Sequence, residues 1–330
     1  MNRYNRHKVL PEIGERGQKK IEEARVAVLG LGSLGSAIAD SLARTGVGYI
    51  RVVDRDYVEI SNLNHQILFD EESIDKPKVE AGAERLENIN SSVEIDPVAE
   101  NISASNIEQL IEEIDIVLDA TDNMKTRYII NDACVKNNIR WIFTSVLQTY
   151  GMNLNIIPNK GPCLRCLMPE KPERGSMETT ETAGVLFTLP RIMGNISATE
   201  AVKYITGNEQ RKEMLTIDLW KNDYELIKVN KRENCKTCGE KDFEFLSKEK
   251  VEQVEIHGEN SVQISPEKKL ELNLQGIKDR FKNSEIKGKS MLRIQLENYE
   301  LNLFKDGKLI VDGTDDPKKA KSLYSRYIGD

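Results

Sequence analysis

Cysteine is scarce, with five residues in 330, too few for a disulfide scaffold. Basic charge is not in excess either: 47 Lys and Arg stand against 54 Asp and Glu, a formal net charge of −7. The chain therefore carries no global basic field for a nucleic-acid backbone. No uninterrupted apolar run approaches the roughly 18 residues that a membrane span requires. The start, Met1-Asn2-Arg3-Tyr4-Asn5-Arg6-His7-Lys8, leads into no apolar signal core. These absences predict a cytoplasmic protein with no nucleic-acid partner and no membrane partner. Internal repeats and low-complexity tracts are missing. So is a Walker-type phosphate loop, because Gly288-Lys289-Ser290 has Asn283 where the first glycine should stand.

What is present suits a globular chain: 39% of the residues are hydrophobic, and the length predicts roughly two domains. Arg25–Leu29 is a short apolar run closed by Gly30-Leu31-Gly32-Ser33-Leu34-Gly35, and a helical pattern follows it to a stop at Gly46. Residues 49–54 form a second strand ending in Asp54, and 114–119 and 141–143 supply further buried strands. Strands alternating with helices predict an α/β fold, a doubly wound and mainly parallel Rossmann-like sheet. Residues 152–157 read as a strand, 158–173 as a proline-rich loop with cysteines, 191–206 as an amphipathic helix, and 215–219 with 224–229 as an antiparallel pair. Residues 238–250 read as a charged linker. Beyond it a small C-terminal α+β module is expected, with a helix over 270–282, a hairpin turning at Lys305-Asp306-Gly307-Lys308, and a last helix starting near Asp316-Pro317. The expected division is 1–245 and 246–330.

Gly30, Gly32 and Gly35 form G-x-G-x-x-G between a strand and a helix, where backbone N–H groups can approach phosphates. Asp54 follows Gly32 by 22 residues, where an acid can accept ribose hydroxyls. Together they point to an adenosine nucleotide; the alternative is a tight turn that binds nothing. Cys163-x-x-Cys166 and Cys235-x-x-Cys238 lie 69 residues apart and match a tetrahedral zinc site. Four thiolates leave no open position for water or substrate, so the zinc is expected to be a structural clip; two unrelated thiol pairs are the alternative. Cys134 reads as a small core residue. Residues 61–66, Lys76-Pro77-Lys78 and Asp119-Ala120-Thr121-Asp122-Asn123 read as loops and turns in isolation. In a doubly wound sheet, however, ligands sit beyond the carboxyl ends of strands, and Asp54, Asn62, Asp119 and Asp122 all follow strands.

From Arg3 to about Gly239 the chain resembles the MoeB/ThiF family of ubiquitin-activating-like adenylyltransferases. The resemblance rests on an ordered series: Arg3-Tyr4-Asn5-Arg6, Leu10-Pro11-Glu12, Gly17-Gln18, the glycine turn, Asp54-x-Asp56, Ser61-Asn62-Leu63, Lys76-Pro77-Lys78, Asp122-Asn123-x-x-x-Arg127 and Gly161-Pro162-Cys163-x-x-Cys166. Phe304-Lys305-Asp306-Gly307 and Tyr327-Ile328-Gly329 resemble a C-terminal extension of some Firmicute-type members. The resemblance implies a homodimer that binds ATP, Mg2+ and a ubiquitin-fold sulfur-carrier protein ending in Gly-Gly. The carrier carboxylate would attack the α-phosphate, giving an acyl adenylate and pyrophosphate for sulfur transfer in molybdopterin or thiazole (thiamine) synthesis. It further implies that Asp54 holds the ribose, with Gly30, Gly32, Ser33 and Asp56 around the nucleotide. Ser61, Asn62, Leu63, Asn64, His65 and Gln66 would line the same site with Asn123. Asn62 and Lys78 would meet the phosphates, Asp122 would help hold Mg2+, and Arg6 would reach into the neighbouring subunit's site. The catalytic set implied is Arg6, His65, Lys78 and Asp122, with Lys78 an exposed side chain whose loss leaves the fold intact.

The chain departs from the family's pattern twice. His65 stands where an arginine is usual, a pH-dependent cation without a bidentate fork. Thr180 stands where many members carry cysteine, and a hydroxyl is a poor acceptor for a thioester or persulfide, so adenylation without covalent transfer at this position is expected. Three other readings remain open: adenylation of a short peptide, a catalytically weak nucleotide-binding scaffold, and a nicotinamide dehydrogenase.

Overall fold

The computed structural model describes residues 3–172, 178–247, 254–256, 260–266 and 270–328. Eight strands form one sheet in the order β3-β2-β1-β4-β5-β6-β7-β8. They are β1 (Arg25–Leu29), β2 (Tyr49–Val53), β3 (Glu94–Val98), β4 (Ile116–Asp119), β5 (Arg140–Leu147), β6 (Tyr150–Ile156), β7 (Met214–Asp218) and β8 (Asp223–Ile227). The first five are parallel to one another, and β5 to β6, β6 to β7 and β7 to β8 pair antiparallel. The chain leaves β1 towards β2 on one side and resumes at β4 on the other, which creates a switch point between β1 and β4. Leu29 is in register with both Val53 and Asp119, so three strands end level at the switch point.

The central strands β1, β2 and β4 are buried on both faces, as parallel strands are when helices cover each side. Ala27 and Leu29 of β1 enter one apolar cluster with Trp141, Phe143 and Ile130. Val26 and Val28 enter another with Ile38, Leu42 and Leu86. The helices are α1 (Asn5–Lys8), α2 (Gly14–Glu23), α3 (Ser33–Thr45), α4 (Lys78–Ile89), α5 (Ile107–Leu110), α6 (Met124–Lys136), α7 (Leu164–Leu167), α8 (Thr180–Ala183) and α9 (Leu189–Thr206). Helix α3 ends at Gly46, whose φ of 86° terminates it in the left-handed region.

A second sheet is wholly antiparallel, in the order β11-β12-β13-β14-β10-β9. Its strands are β9 (Val254–Ile256), β10 (Ser261–Ile264), β11 (Ser284–Lys287), β12 (Met291–Gln295), β13 (Glu300–Phe304) and β14 (Leu309–Asp312). Helices α10 (Leu274–Lys278) and α11 (Pro317–Tyr327) accompany it, and the Asp316 side chain caps α11 by accepting the Lys318 N–H at 2.8 Å.

The architecture agrees with the sequence reading: a doubly wound, mainly parallel sheet followed by a small α+β module. Three local expectations are corrected. Strand β3 was not expected, because Glu94, Asp96 and Pro97 are poor strand formers; it survives as an edge strand, where proline is tolerated. The helix expected over 270–282 shrinks to Leu274–Lys278. The Leu270 and Leu272 N–H groups pair instead with the carbonyls of Asp306 and Lys305, at 3.0 and 2.9 Å, so this stretch is extended. The first part of the expected linker is docked rather than free: Phe245 and Leu246 pack on the core beside α6, and the Phe245 N–H reaches Asp132 at 3.1 Å. The end of that linker, 248–250, lies outside the described residues, as do Glu173 and Gly329.

Candidate nucleotide site and cysteine cluster

The glycine turn is built for close backbone approach. Gly30 has φ 94°, and a Cβ there would stand 2.6 Å from the Ala120 carbonyl oxygen; one on Gly35 would stand 1.9 Å from the Gly30 carbonyl oxygen. Around Gly32 the space is open, since the nearest atom to a Cβ would be Gln66 Nε2 at 3.9 Å. Gly32 is the N-cap of the 13-residue helix α3 and offers no side-chain acceptor. The first N–H groups of α3 are thus left for an anion. Gln66 is buried, and its Oε1 has no hydrogen-bond partner among the described residues. An orphaned acceptor beside an open glycine turn fits a ligand that brings a donor there.

Asp54, at the end of β2, accepts the Leu31 N–H at 2.6 Å and the Asp56 N–H at 2.8 Å. Its carboxylate is therefore fixed against the glycine turn, with lone pairs to spare. Burial raises its pKa, and Lys78 opposes that rise. Lys78 opens α4 and its Nζ lies 3.4 Å from Asp56 Oδ2. Burial works to lower its pKa, but Asp56, Asp54 and Asp122 outweigh it and the net shift is upward. The expectation of an exposed lysine is corrected: Lys78 is 7% exposed and held charged by surrounding acids.

The 61–66 segment runs alongside. Residues 60–62 form a short 3₁₀ turn, in which Asn62 Oδ1 accepts the Glu59 N–H at 3.1 Å and Asn62 Nδ2 meets Ser61 Oγ at 3.3 Å. Leu63 packs on the core, and Asn64 Oδ1 contacts His65 Nδ1. Burial, and then the charge of Lys78, lower the His65 pKa, so at neutral pH the ring is an uncharged imidazole.

Opposite lies the turn after β4. Asp119 is fully buried and accepts the Thr121 N–H and hydroxyl at 2.9 and 2.7 Å; burial raises its pKa, against the pull of Arg127. Arg127 Nη2 donates to the Thr121 carbonyl at 2.6 Å, and its Nε lies 3.6 Å from Asp119 Oδ2. This brace presents Asp122 at the surface within reach of the Lys78 field. Sequence reasoning quoted Arg127 only as part of a motif; its position one helical turn past Asn123 was the available signal. Asn123 itself caps α6 by accepting the Thr126 N–H at 2.8 Å.

Of the residues singled out in the sequence, the structure therefore brings together Gly30, Gly32, Ser33, Asp54, Asp56, Gln66, His65, Lys78 and Asp122. It does not bring Arg6 to them. Arg6 sits exposed on α1, beside Tyr4, whose hydroxyl accepts from Asn90 Nδ2 at the far end of α4 at 2.8 Å. Lys78 opens that helix, about 18 Å away at 1.5 Å per residue. Thr180 opens the four-residue helix α8. A separate cleft of about 440 Å³ shares Leu63 and Gln66 with this site but is lined by Arg44, Arg85 and Arg191, not by Asp54, Lys78 or Asp122.

The four cysteines converge. Cys163 Sγ lies 3.6 Å from Cys235 Sγ, Cys166 Sγ lies 3.4 Å from Cys238 Sγ, and all four sulfurs fall within 4.8 Å of one another. A tetrahedral zinc with bonds near 2.3 Å spaces its sulfurs about 3.8 Å apart. All four are buried. Around them, the Arg232 N–H points at Cys166 Sγ at 3.4 Å, and Thr237 Oγ1 donates to Asp132 on α6 at 2.6 Å. The donor set fits zinc. Cys134 is a buried core residue whose thiol pKa burial pushes up.

The β8 edge of the sheet exposes large apolar side chains, Tyr224, Leu226 and Ile227. Every residue of β8 is exposed, and Trp220, in the β7–β8 turn, is 74% exposed. Tyr150 is paired with Asp218 and also exposed. Tyr150, Trp220 and the start of β8 at Asp223 lie at the same end of the sheet as the carboxyl end of β5. No helix among the described residues is long and apolar enough to cross a membrane.

A doubly wound sheet with a glycine turn, an acid after β2, and a lysine caged by carboxylates defines a nucleotide-binding domain specialised for phosphate chemistry. The chain belongs to the ThiF family, which matches residues 4–237. It is 36% identical over 335 residues to the sulfur carrier protein ThiS adenylyltransferase of Bacillus subtilis, covering 99% of each chain. It is 32% identical over 247 residues to the sulfur carrier protein adenylyltransferase of Thermus thermophilus, covering 73% of this chain and 91% of that one. The crystal structure of E. coli MccB with ATP shares the fold at a TM-score of 0.64 and 22% identity, over 72% of this chain and 75% of that one.

Proposed function

We propose that the chain is an ATP-dependent adenylyltransferase that activates the C-terminal glycine carboxylate of a ubiquitin-fold sulfur-carrier protein ending in Gly-Gly. The observation that carries the reading is Lys78: a buried ammonium kept charged by three aspartates, beside an open glycine turn at the switch point of the sheet. The named activity of two relatives supports it, one of them matched over almost the whole chain.

In the reaction, a carboxylate oxygen of the carrier attacks the α-phosphorus of ATP. The bond from that phosphorus to the bridging oxygen breaks, and pyrophosphate leaves with the electron pair. Asp54 receives the ribose, the N–H groups of Gly32 and Ser33 receive phosphate oxygens, and Lys78 offsets charge on the phosphates, which the Asn62 amide also meets. The residues fit a divalent cation, since Asp122 is a surface carboxylate facing the same space. Asp122 would hold magnesium, which supplies charge neutralisation to a reaction between two anions. Zinc would be held by Cys163, Cys166, Cys235 and Cys238 as a closed structural clip. The exposed apolar rim at Tyr150, Trp220 and β8 is the surface assigned to the carrier, because a carrier seated there lies at the edge its C-terminus must enter.

The reading includes a homodimer in which Arg6 serves the partner's site, because α1 holds it far from its own chain's Lys78. It also includes two domains, 1–245 and 246–330, a cytoplasmic location, and service to molybdopterin or thiazole synthesis. The test is ATP–pyrophosphate exchange by the purified chain with magnesium and each Gly-Gly carrier of the same genome. Exchange that depends on one carrier is expected. Exchange that depends instead on a short peptide, or ATP binding without exchange, refutes the reading.

A further inference from the structure

The turn between β13 and β14 carries a lysine that solvent scarcely reaches. Lys308 is 2% exposed; its Nζ donates to the Arg55 carbonyl and lies 3.5 Å from the centre of the Phe304 ring. A buried ammonium is costly unless acceptors and counter-charges surround it. Burial pushes Lys308 down to about 8, while Asp306, Asp56 and Asp54 act against that fall and Arg55 adds to it. Asp54 and Asp56 flank Arg55 in the chain and are the acids of the nucleotide turn. Lys308 therefore sits behind that turn and holds its central peptide.

Several further contacts of the second sheet fall on the same stretch. Tyr57 donates to Asp312 at 3.1 Å, and its ring packs on Met291, Phe304 and Ile310. Asp75 pairs with Lys287 at 3.5 Å and with Arg293. Glu80 accepts the Lys289 N–H at 2.6 Å and the Ser290 hydroxyl. Gly288 comes so close that a Cβ on it would stand 2.2 Å from the Glu80 carboxylate. These anchors lie between residues 55 and 80, the stretch that also supplies Asp56, His65 and Lys78. A docking surface chosen for stability alone has no reason to coincide with it.

We propose that Lys308 is a positioning residue for ATP binding: it holds the Arg55 carbonyl, and with it Asp54 and Asp56, so that the second sheet acts as a clamp on the nucleotide turn. The proposal rests on the adenylation reading for its ligand. Lys308 does not touch the nucleotide; it acts through the Arg55 peptide.

The test compares the full-length wild type with Lys308→Met, which keeps the stem over Phe304 and removes the donor, and with Lys308→Arg, which keeps both donor and charge. Two readouts are taken: the ATP dependence of pyrophosphate exchange, and amide exchange of Leu31 and Asp56 without nucleotide, the two N–H groups that Asp54 holds. Lys308→Met is expected to raise KM for ATP about tenfold with kcat within about twofold, the signature of lost ground-state binding. Protection of the two amides is expected to fall about tenfold, and Lys308→Arg to restore both readouts. A lower melting temperature with KM and amide protection unchanged overturns the proposal. No exchange in the wild type overturns the adenylation reading instead, and the amide readout still decides whether Lys308 holds the turn.

Discussion

Lys78→Ala tests the site where its chemistry and its stability meet. The side chain is 9% exposed and its partner Asp56 is 29% exposed, so the pair lies between a surface ion pair, worth about 0–1 kcal/mol, and a fully buried one, whose breaking costs about 3–5 kcal/mol. Asp54 adds to the cost, because its carboxylate is already pushed towards its neutral form by burial and Lys78 is the charge that opposes this. A loss of about 2 kcal/mol follows, and at about 2–4 °C per kcal/mol for a domain of this size the melting temperature falls about 4–8 °C. Exchange falls about a hundredfold or more, as when a single preorganised charge-stabilising donor is removed.

The pH dependence has a definite sign. The Lys78 pKa is raised, so its contribution is complete at neutral pH and is lost only as pH rises through that raised value. The Asp54 pKa is also raised, so the charged carboxylate costs stability above its ordinary range, and the cost is relieved as pH falls through the raised value. Without Lys78 the cost at neutral pH grows, and the gap between wild type and variant narrows from neutral pH to a mildly acidic pH as the carboxylate is protonated. Calorimetry at both pH values, alongside pyrophosphate exchange, reads all three quantities. Exchange within twofold of wild type would refute a phosphate role, and an equal melting temperature at neutral pH would refute the buried pair.

His65→Arg should raise exchange near pH 8, because the present imidazole is held neutral by burial and by Lys78 while guanidinium stays charged; an equal or lower rate would mean that the site is fitted to histidine. Metal analysis should find one zinc per chain, and removing it should lower the melting temperature, because the clip joins α7 to the segment after β8; a folded, metal-free protein with all four thiols titratable would dispose of the clip. Arg6→Ala and Lys78→Ala chains, each inactive alone, should regain partial exchange when mixed and allowed to re-pair, because one mixed site then has both groups; no regain at any mixing ratio would remove Arg6 from the partner's site.

What was legible in the sequence was local. The run Val26-Ala27-Val28-Leu29 announces a strand buried on both faces, and the structure buries all four residues. The glycine turn was legible because its glycines are required by atoms nearby in the fold: Gly35 faces Gly30, and Gly30 faces Ala120. The paired cysteines were legible through spacing alone. Strand β3 was not, because Pro97 and two acids hide an edge strand whose support comes from Arg51, which reaches Asp96 at 2.7 Å. Lys78 was legible as a phosphate residue and misjudged as exposed, since no pattern in residues 76–78 discloses that Asp54, Asp56 and Asp122 enclose it.

The charge balance of the site calls for positive charge from beyond the nucleotide motif. Asp54, Asp56, Asp119 and Asp122 gather around three cations, Lys78, Arg127 and Arg55; Arg127 is engaged with Thr121 and Asp119, and Arg55 Nε lies 3.6 Å from Asp56 Oδ1. His65 contributes no charge at neutral pH. A nucleoside triphosphate brings more negative charge to a site that is already acidic, and a carrier carboxylate must then approach it. Under the proposed reading such a site draws on cations from outside the motif: a divalent metal at Asp122, an arginine from a second copy, and an ammonium behind the turn. Lys308 supplies the last from 253 residues along the chain. No motif or period could have linked it to Arg55, because only the docking of one sheet on the other makes them neighbours.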